Sequence, residues 1–491
     1  MNREERLKLV DEVIAAGPYK DNWASLCNYT TPKWYADAKF GIFIHWGVYS
    51  VPAFHNEWYA RTMYIEGSPE YEHHIKTYGP HKDFGYKDFI PMFKAEHFDA
   101  NEWMTLFREA GAKYVMPVAE HHDGFQMYDS DLSDWNAAKM GPKRDVVGEL
   151  KQAAEKEGIV FSVSNHRAEH CWFFNGGLKF DSDILDPKAG NFYGPQQPEV
   201  DSDKKHHDIH FSAPNKEHAD DWLARICELV DKYQPRIVWF DWWIHNIGFK
   251  PYIKKFAAYY YNRAKQWGVE VAINYKYRAY AYGSAIFDVE RGQLEGIRPL
   301  LWQTDTAVAR NSWCYTDNNE FKAPTDLVRD LIDIVSKNGC LLLNIGPRPD
   351  GTITDEDKNV LLNIGKWLKI NGEGIYGTTF WEIFGEGNTN AQSGSFTDGE
   401  ALQYTNEDFR FTFKGGNIYA FAMNPAADGK MTIKSLGLKT IQNTGDMDIK
   451  SVSLLGCDLP VKWTRDQAGL HIEIDNLPAM KYPLGIKVET D

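Results

Sequence analysis

An α/β fold, a closed (β/α)8 barrel followed by a small C-terminal antiparallel β-sandwich, is predicted by three observations. Short apolar runs alternate with amphipathic helical stretches from residue 40 to residue 343. The polar residues that end those runs are repeatedly His, Asp and Asn. Past residue 400 the helical period gives way to two-residue alternation. A repeating β–α order implies a parallel sheet, and in a barrel the chemistry gathers at the C-terminal strand ends.

The first run, Phe40-Gly41-Ile42-Phe43-Ile44, leads into His45-Trp46. Residues 114–119 lead into Glu120-His121-His122-Asp123, and residues 160–163 into Ser164-Asn165-His166. The bulky run Ile237-Val238-Trp239-Phe240 leads into Asp241, and residues 269–273 into Asn274. Leu300-Leu301-Trp302 precedes Gln303-Thr304-Asp305, and residues 341–343 precede Asn344. Between them, helical periodicity covers Ala100 to Glu109, Val146 to Glu157, Asp220 to Tyr233, Ile253 to Trp267 and Thr325 to Lys337. An open doubly wound sheet is the alternative. No Gly-x-Gly-x-x-Gly follows any of these strands, which removes the usual nucleotide-binding reading.

Residues 1–380 are read as the catalytic barrel and residues 381–491 as the sandwich. Residues 385–400, rich in Gly, Asn, Thr and Ser, read as a linker or loop. Alternation then begins with Phe409, Phe411 and Phe413, turns at Lys414-Gly415-Gly416-Asn417, and continues in short strands near 418–423, 432–436, 452–455 and 472–474.

Composition narrows the function classes. A balance of 54 Lys+Arg against 69 Asp+Glu gives a net charge of −15, poorly matched to nucleic acid or an anionic membrane. The six cysteines are scattered without a Cys-x-x-Cys pair, against a zinc ribbon or a disulfide scaffold. No apolar run reaches membrane-spanning length. The charged start, Met1 to Arg6, lacks the apolar stretch of a signal peptide, so a cytoplasmic location is expected unless a leader was removed. Seventeen Trp, 26 Tyr and 27 Phe suit sugar-ring platforms as well as cores.

The strand ends bring His45, Trp46, His121, His122, His166 and Asp241 toward one pocket. Two chemistries fit that set. Metal-assisted hydrolysis would use the imidazoles as ligands. His45 is alone on its strand, however, and His121 and His122 are adjacent, so their side chains diverge. No metal or organic cofactor is therefore expected. Glycoside hydrolysis instead needs two carboxylates, with imidazoles as hydroxyl partners and indoles as stacking faces. Asp241, at the end of a buried strand, supplies the first.

Several motifs in one order resemble the α-L-fucosidases of glycoside hydrolase family 29. They are Pro32-Lys33-Trp34-Tyr35, Lys39 to Gly47, Ser50-Val51-Pro52-Ala53 and Asn56-Glu57-Trp58-Tyr59. His121 to Phe125, Trp239-Phe240-Asp241, Leu341 to Pro347 with Asp350-Gly351, and Asn371 to Thr378 complete the set. The resemblance implies a retaining enzyme with Asp241 as nucleophile. It also implies that His45, Glu57, His121 and His122 bind fucose hydroxyls together with Trp46 and Trp313. Trp58, His166 and Trp239 are expected in the same wall. An aromatic face such as Trp313 suits the C5 methyl that distinguishes fucose.

Three departures from the family pattern stand out. Asn274-Tyr275-Lys276 replaces Asn-Asp-Arg, and His166 stands where an aromatic residue is frequent. Gln303 follows Trp302 where many members carry the proton-donor Glu. Glutamine cannot protonate a leaving group, so Glu290, read as lying on the loop between the fifth and sixth strands, is taken as the acid/base. Glu295 and Glu57 compete for that role. The expected function is exo-hydrolysis of terminal α-L-fucosyl residues from an oligosaccharide or glycoconjugate. An α-L-galactosidase on the same scaffold and a non-catalytic fucose-binding protein are the alternatives. Residues 172–215 read as a pocket-covering insertion, and the oligomeric state is left open.

Overall fold

Phe40–Ile44 (β1) is buried along its whole length, as a strand covered on both faces must be. It pairs in parallel with Tyr114–Glu120 (β2) on one side. The computed structural model, which describes residues 1–198, 213–438 and 447–490, closes the ring on its other side. Between β2 and that closure run Val160–Phe161 (β3), Val163–Asn165 (β4), Ile237–Phe240 (β5) and Ala272–Tyr275 (β6). Ile286–Glu290 (β7), Trp302–Ala307 (β8) and Gly339–Ile345 (β9) follow. β9 pairs back onto β1, with Ile42 in register with Leu343 on this side and Val115 on the other. β3 and β4 are two pieces of one interrupted strand, both paired to β2, so the barrel has eight strand positions. The expected closed barrel is the one found, and the doubly wound alternative falls.

Two-residue alternation sorts the strands into an inside and an outside. Phe43, Trp239, Ile286, Leu301 and Leu342 fill the interior. Ile42, Phe240, Val289, Trp302 and Leu341 pack outward beneath the helices. The helix expected from Asp220 begins at Lys216, because Asn215 caps it by accepting the His218 amide.

Three strand assignments need correction. β7 has no counterpart in the seven expected strands, so Glu290 ends a strand instead of lying on a loop. Its inward side chains Asp288 and Glu290 are acidic, which disguised it. The strand expected at 269–273 is Ala272–Tyr275, and the one expected at 300–302 extends from Trp302 to Ala307. Gln303 therefore sits one layer below the strand end. It is fully buried, accepting from Tyr35 (2.6 Å) and Tyr114 (2.8 Å) and donating to Asp288 (2.6 Å). It is part of the barrel floor, not of the rim.

The C-terminal region holds a five-stranded antiparallel sheet, Thr379–Glu386 (β10), Phe409–Lys414 (β11), Asn417–Ala422 (β12), Leu484–Thr490 (β17) and Ile449–Leu454 (β14), in the order β10-β11-β12-β17-β14. A three-stranded sheet of Lys430–Ile433 (β13), Leu470–Glu473 (β16) and Lys462–Arg465 (β15) faces it. Phe409, Phe411, Ile418 and Ile486 from the first meet Met431, Ile433 and Ile472 from the second. Arg410 of β11 pairs with Asp333 on the barrel helix Pro324–Ser336, fastening sandwich to barrel. Of the expected pocket-covering stretch, residues 199–212 lie outside the described residues.

Candidate active site

The pocket opens at the C-terminal ends of the strands, where alternation lifts the interior from Phe43 to His45, from Trp239 to Asp241 and from Leu342 to Asn344. It is a cavity of about 410 Å³, at the small end of ligand sites. His45 Nδ1 lies 2.7 Å from Asn344 Oδ1, a bond that fixes the ring and turns Nε2 away from the amide. Burial, followed by the neighbouring His166, holds the His45 pKa well below its ordinary value. His121 is lowered likewise, by burial and then by His122 and His166. His122 gives Nδ1 to the His166 carbonyl at 2.9 Å, and burial brings its pKa down to about 4. Neutral imidazoles, able to donate or accept, are what hydroxyl groups require.

His121 and His122 were expected to diverge. The chain leaves the strand at Glu120 and turns, so both rings face the pocket with centroids 4.3 Å apart. That turn also creates two sets of close donor atoms, His45-His121-His166 and His122-His166-Asp241, each within 4.8 Å. Nδ1 of His45, His122 and His166 is already bonded, to Asn344, the His166 carbonyl and Asp241, whereas the buried His121 Nδ1 has no hydrogen-bond partner among the described residues.

Asp241 follows β5 and receives His166 Nδ1 at 2.9 Å, with His122 Nε2 at 3.5 Å. Burial alone would raise its pKa. The His166 hydrogen bond, the electrostatic pull of the His166 and His122 rings and the Lys276 charge outweigh burial and hold the carboxyl well below the usual range. Glu290, at the end of β7, accepts the Trp242 indole N–H and lies 3.6 Å from Lys276. Here burial and then the Asp241 charge win over Lys276, and the pKa rises to about 7. Two carboxyls in one pocket are thus pushed in opposite directions.

Lys276 pulls both values down, and burial prevails only at Glu290. It stands just beyond β6, 2.7 Å from Asp288, in contact with Asp305 and near Glu290. Burial opposes its charge, but these carboxyls offset the penalty and raise its pKa. Replacing a buried cation leaves its partners unpaired, at a cost of about 3–5 kcal/mol. Lys276→Met is expected to lower the urea midpoint accordingly, and more at pH 8 than at pH 5, because Asp305 and Glu290, whose pKa values burial already raises, take up protons at the lower pH. Lys276→Arg should restore most of the loss. A deficit below about 1 kcal/mol, or one equal at both pH values, would refute the role.

Most of the other expected residues line the same cavity. Glu57 accepts the Trp313 amide at 3.1 Å, and burial raises its pKa. Trp58 leans on His122, Trp239 on His166, and Trp313 on His45. Trp46 does not join them. Next to the inward His45 it must point outward, and it packs among Phe93, Phe98 and Trp103 with its N–H on the Arg348 carbonyl at 2.7 Å. Glu295 is exposed and outside the pocket, which removes it as a proton donor.

Sequence reasoning missed Glu169, Trp242, Trp243, Asp305 and Phe396, all of which line the cavity. Glu169 is buried beside His122 at 3.8 Å, its pKa raised well above normal by burial and then by Asp241. Trp242 and Trp243 follow Asp241 directly, and that adjacency was the available signal. Phe396, alone among Gly, Ser and Thr, carried none.

With this geometry in hand, two family models match the chain. The α-L-fucosidase model covers residues 7–373, and the α-L-fucosidase C-terminal domain model covers residues 403–487. The chain belongs to the α-L-fucosidase family. It is therefore a glycoside hydrolase. Human tissue α-L-fucosidase is 30% identical over 95% of this chain and 90% of its own length. Human plasma α-L-fucosidase is also 30% identical, over 96% and 91%. Among solved structures, the Thermotoga maritima α-fucosidase superposes with a TM-score of 0.73 at 30% identity, covering 96% of this chain and 100% of that one. The same Thermotoga enzyme in complex with fucose matches with the same TM-score and identity. The α-L-fucosidase family thus accounts for both the barrel and the C-terminal sheets.

Proposed function

We propose that the chain is a retaining exo-α-L-fucosidase acting on terminal fucosyl residues of glycans. The observation that carries this reading is one pocket holding an aspartate kept ionised beside a glutamate whose pKa is raised to about 7. Asp241 attacks the anomeric carbon while protonated Glu290 gives its proton to the departing glycosidic oxygen. The C1–O bond breaks and a fucosyl ester of Asp241 forms. Ionised Glu290 then takes a proton from water, whose oxygen displaces Asp241 and completes the hydrolysis. His45, His121, His122 and Glu57 hold the sugar hydroxyls, and Trp313 stands against the C5 methyl. An α-L-galactoside would need room for a hydroxymethyl at that wall. The Thermotoga enzyme's complex with fucose supports the substrate assignment.

Proton NMR of early turnover tests the mechanism. Two displacements at one carbon release α-fucose first, and the β anomer grows in only by mutarotation. Early β-fucose would refute retention, and no fucose at all would refute the activity.

A further inference from the structure

The mouth of the pocket is not built by the barrel alone. Residues 394–398, from the stretch read as a linker, return and bond to the end of β7. Gly394 donates to the Gln293 carbonyl at 2.9 Å, Phe396 to that of Glu290 at 2.8 Å, and Thr397 to that of Arg291 at 2.8 Å. The Asp398 carboxylate locks the far end by pairing with Lys322 and Thr306. Phe396 is thereby tied by its backbone to the residue after which the strand ends, the proposed proton donor.

Its side chain is placed at a cost and gains little burial in return. Phe396 has φ +60°, a left-handed conformation that bulky residues seldom adopt, and its residue surface is 62% exposed. The ring lies nearly parallel to Trp242, with centroids 6.4 Å apart and planes at 15°. Trp242 in turn bonds Glu290 through its indole N–H. Two stacked aromatic rings therefore line the pocket with the carboxyl that protonates the glycosidic oxygen, one of them bonded to it.

We infer that Phe396 and Trp242 form an aglycone subsite, a platform for the apolar C–H face of the pyranose that carries the fucose. The inference rests on the fucosidase reading and extends it. The leaving sugar is bonded to the oxygen that Glu290 protonates, so it must lie on Glu290's side of the pocket. Aromatic planes are the surfaces that sugar C–H faces pack against. The same platform receives an acceptor sugar in transfer. Its hydroxyl oxygen bonds to C1 as the Asp241 ester bond breaks, and its proton passes to Glu290. Phe396 is a specificity-determining residue in this scheme.

The test compares α-L-fucosyl fluoride, which carries no aglycone sugar, with a fucosyl-N-acetylglucosamine disaccharide. The readout is the ratio of their kcat/KM values in the full-length protein. Phe396→Ala is expected to lower the disaccharide-to-fluoride ratio about tenfold, the value of one aromatic face. Phe396→Trp should restore it, and the ratio of sugar transfer to hydrolysis should move in parallel. A ratio that stays fixed while both substrates change together would overturn the subsite. Wild-type protein inert toward both substrates would instead overturn the fucosidase reading, and the subsite with it.

Discussion

Replacing Asp241 by glycine is expected to reduce turnover of every fucoside, whatever its leaving group, by about 10⁴-fold or more. That corresponds to roughly 5.5 kcal/mol of transition-state stabilisation. The breadth of the loss follows from the residue's task. No leaving group, however acidic, can supply the missing nucleophile. The site has been arranged around this one anion: His166 at 2.9 Å, His122 at 3.5 Å and the Lys276 charge all favour its ionised form. Removing the carboxyl leaves a space on the face from which it attacks. Azide entering that space with α-L-fucosyl fluoride should restore turnover and give β-L-fucosyl azide. The inverted product identifies the face. An α-configured azide, or hydrolysis close to the wild-type rate, would show that Asp241 is not the nucleophile.

How much of this was readable from the sequence depended on what surrounds each strand. β1, β5 and β9 are apolar on both faces, so their runs stood out, and each ended on a site residue: His45, Asp241 and Asn344. β7 was invisible because its inward positions carry Asp288 and Glu290. Their compensation, Lys276, arrives from the neighbouring strand, and charge balance across a barrel leaves no local pattern. Gln303 was misplaced for a simpler reason. The run Leu300-Leu301-Trp302 ends where β8 begins, so two-residue alternation puts Gln303 on the floor and Asp305 at the rim. Trp46 was misjudged by neglecting the same alternation beside His45. Phe396 reaches the pocket only through backbone bonds to a strand about a hundred positions earlier, which no periodicity reports.

Loss of Glu290 should divide substrates by how much they need a proton. Glu290→Ala is expected to lower kcat/KM on natural fucosyl oligosaccharides by about 10²–10⁴-fold, the usual value of general acid catalysis. Formation of the fucosyl ester from 2,4-dinitrophenyl fucoside, whose phenolate leaves unaided, should change far less. The pH profile supplies a second sign. Glu290 donates only while protonated, so wild-type activity on natural glycosides should fall as pH rises through about 7. Asp241, held well below the ordinary range, stays ionised across the same interval. The alkaline limb should disappear in the variant. Burial comes first among the causes of the raised value and the Asp241 charge second. In the proposed mechanism Asp241 becomes a neutral ester and that second contribution vanishes, while Lys276 at 3.6 Å remains. The pKa of Glu290 then falls, and the acid of the first step becomes the base of the second. Glu57 shares the pocket but accepts the backbone amide of Trp313, whereas Glu290 accepts the Trp242 indole N–H. Equal losses on both substrate types, or an alkaline limb that survives in Glu290→Ala and vanishes in Glu57→Ala, would move the proton donor to Glu57.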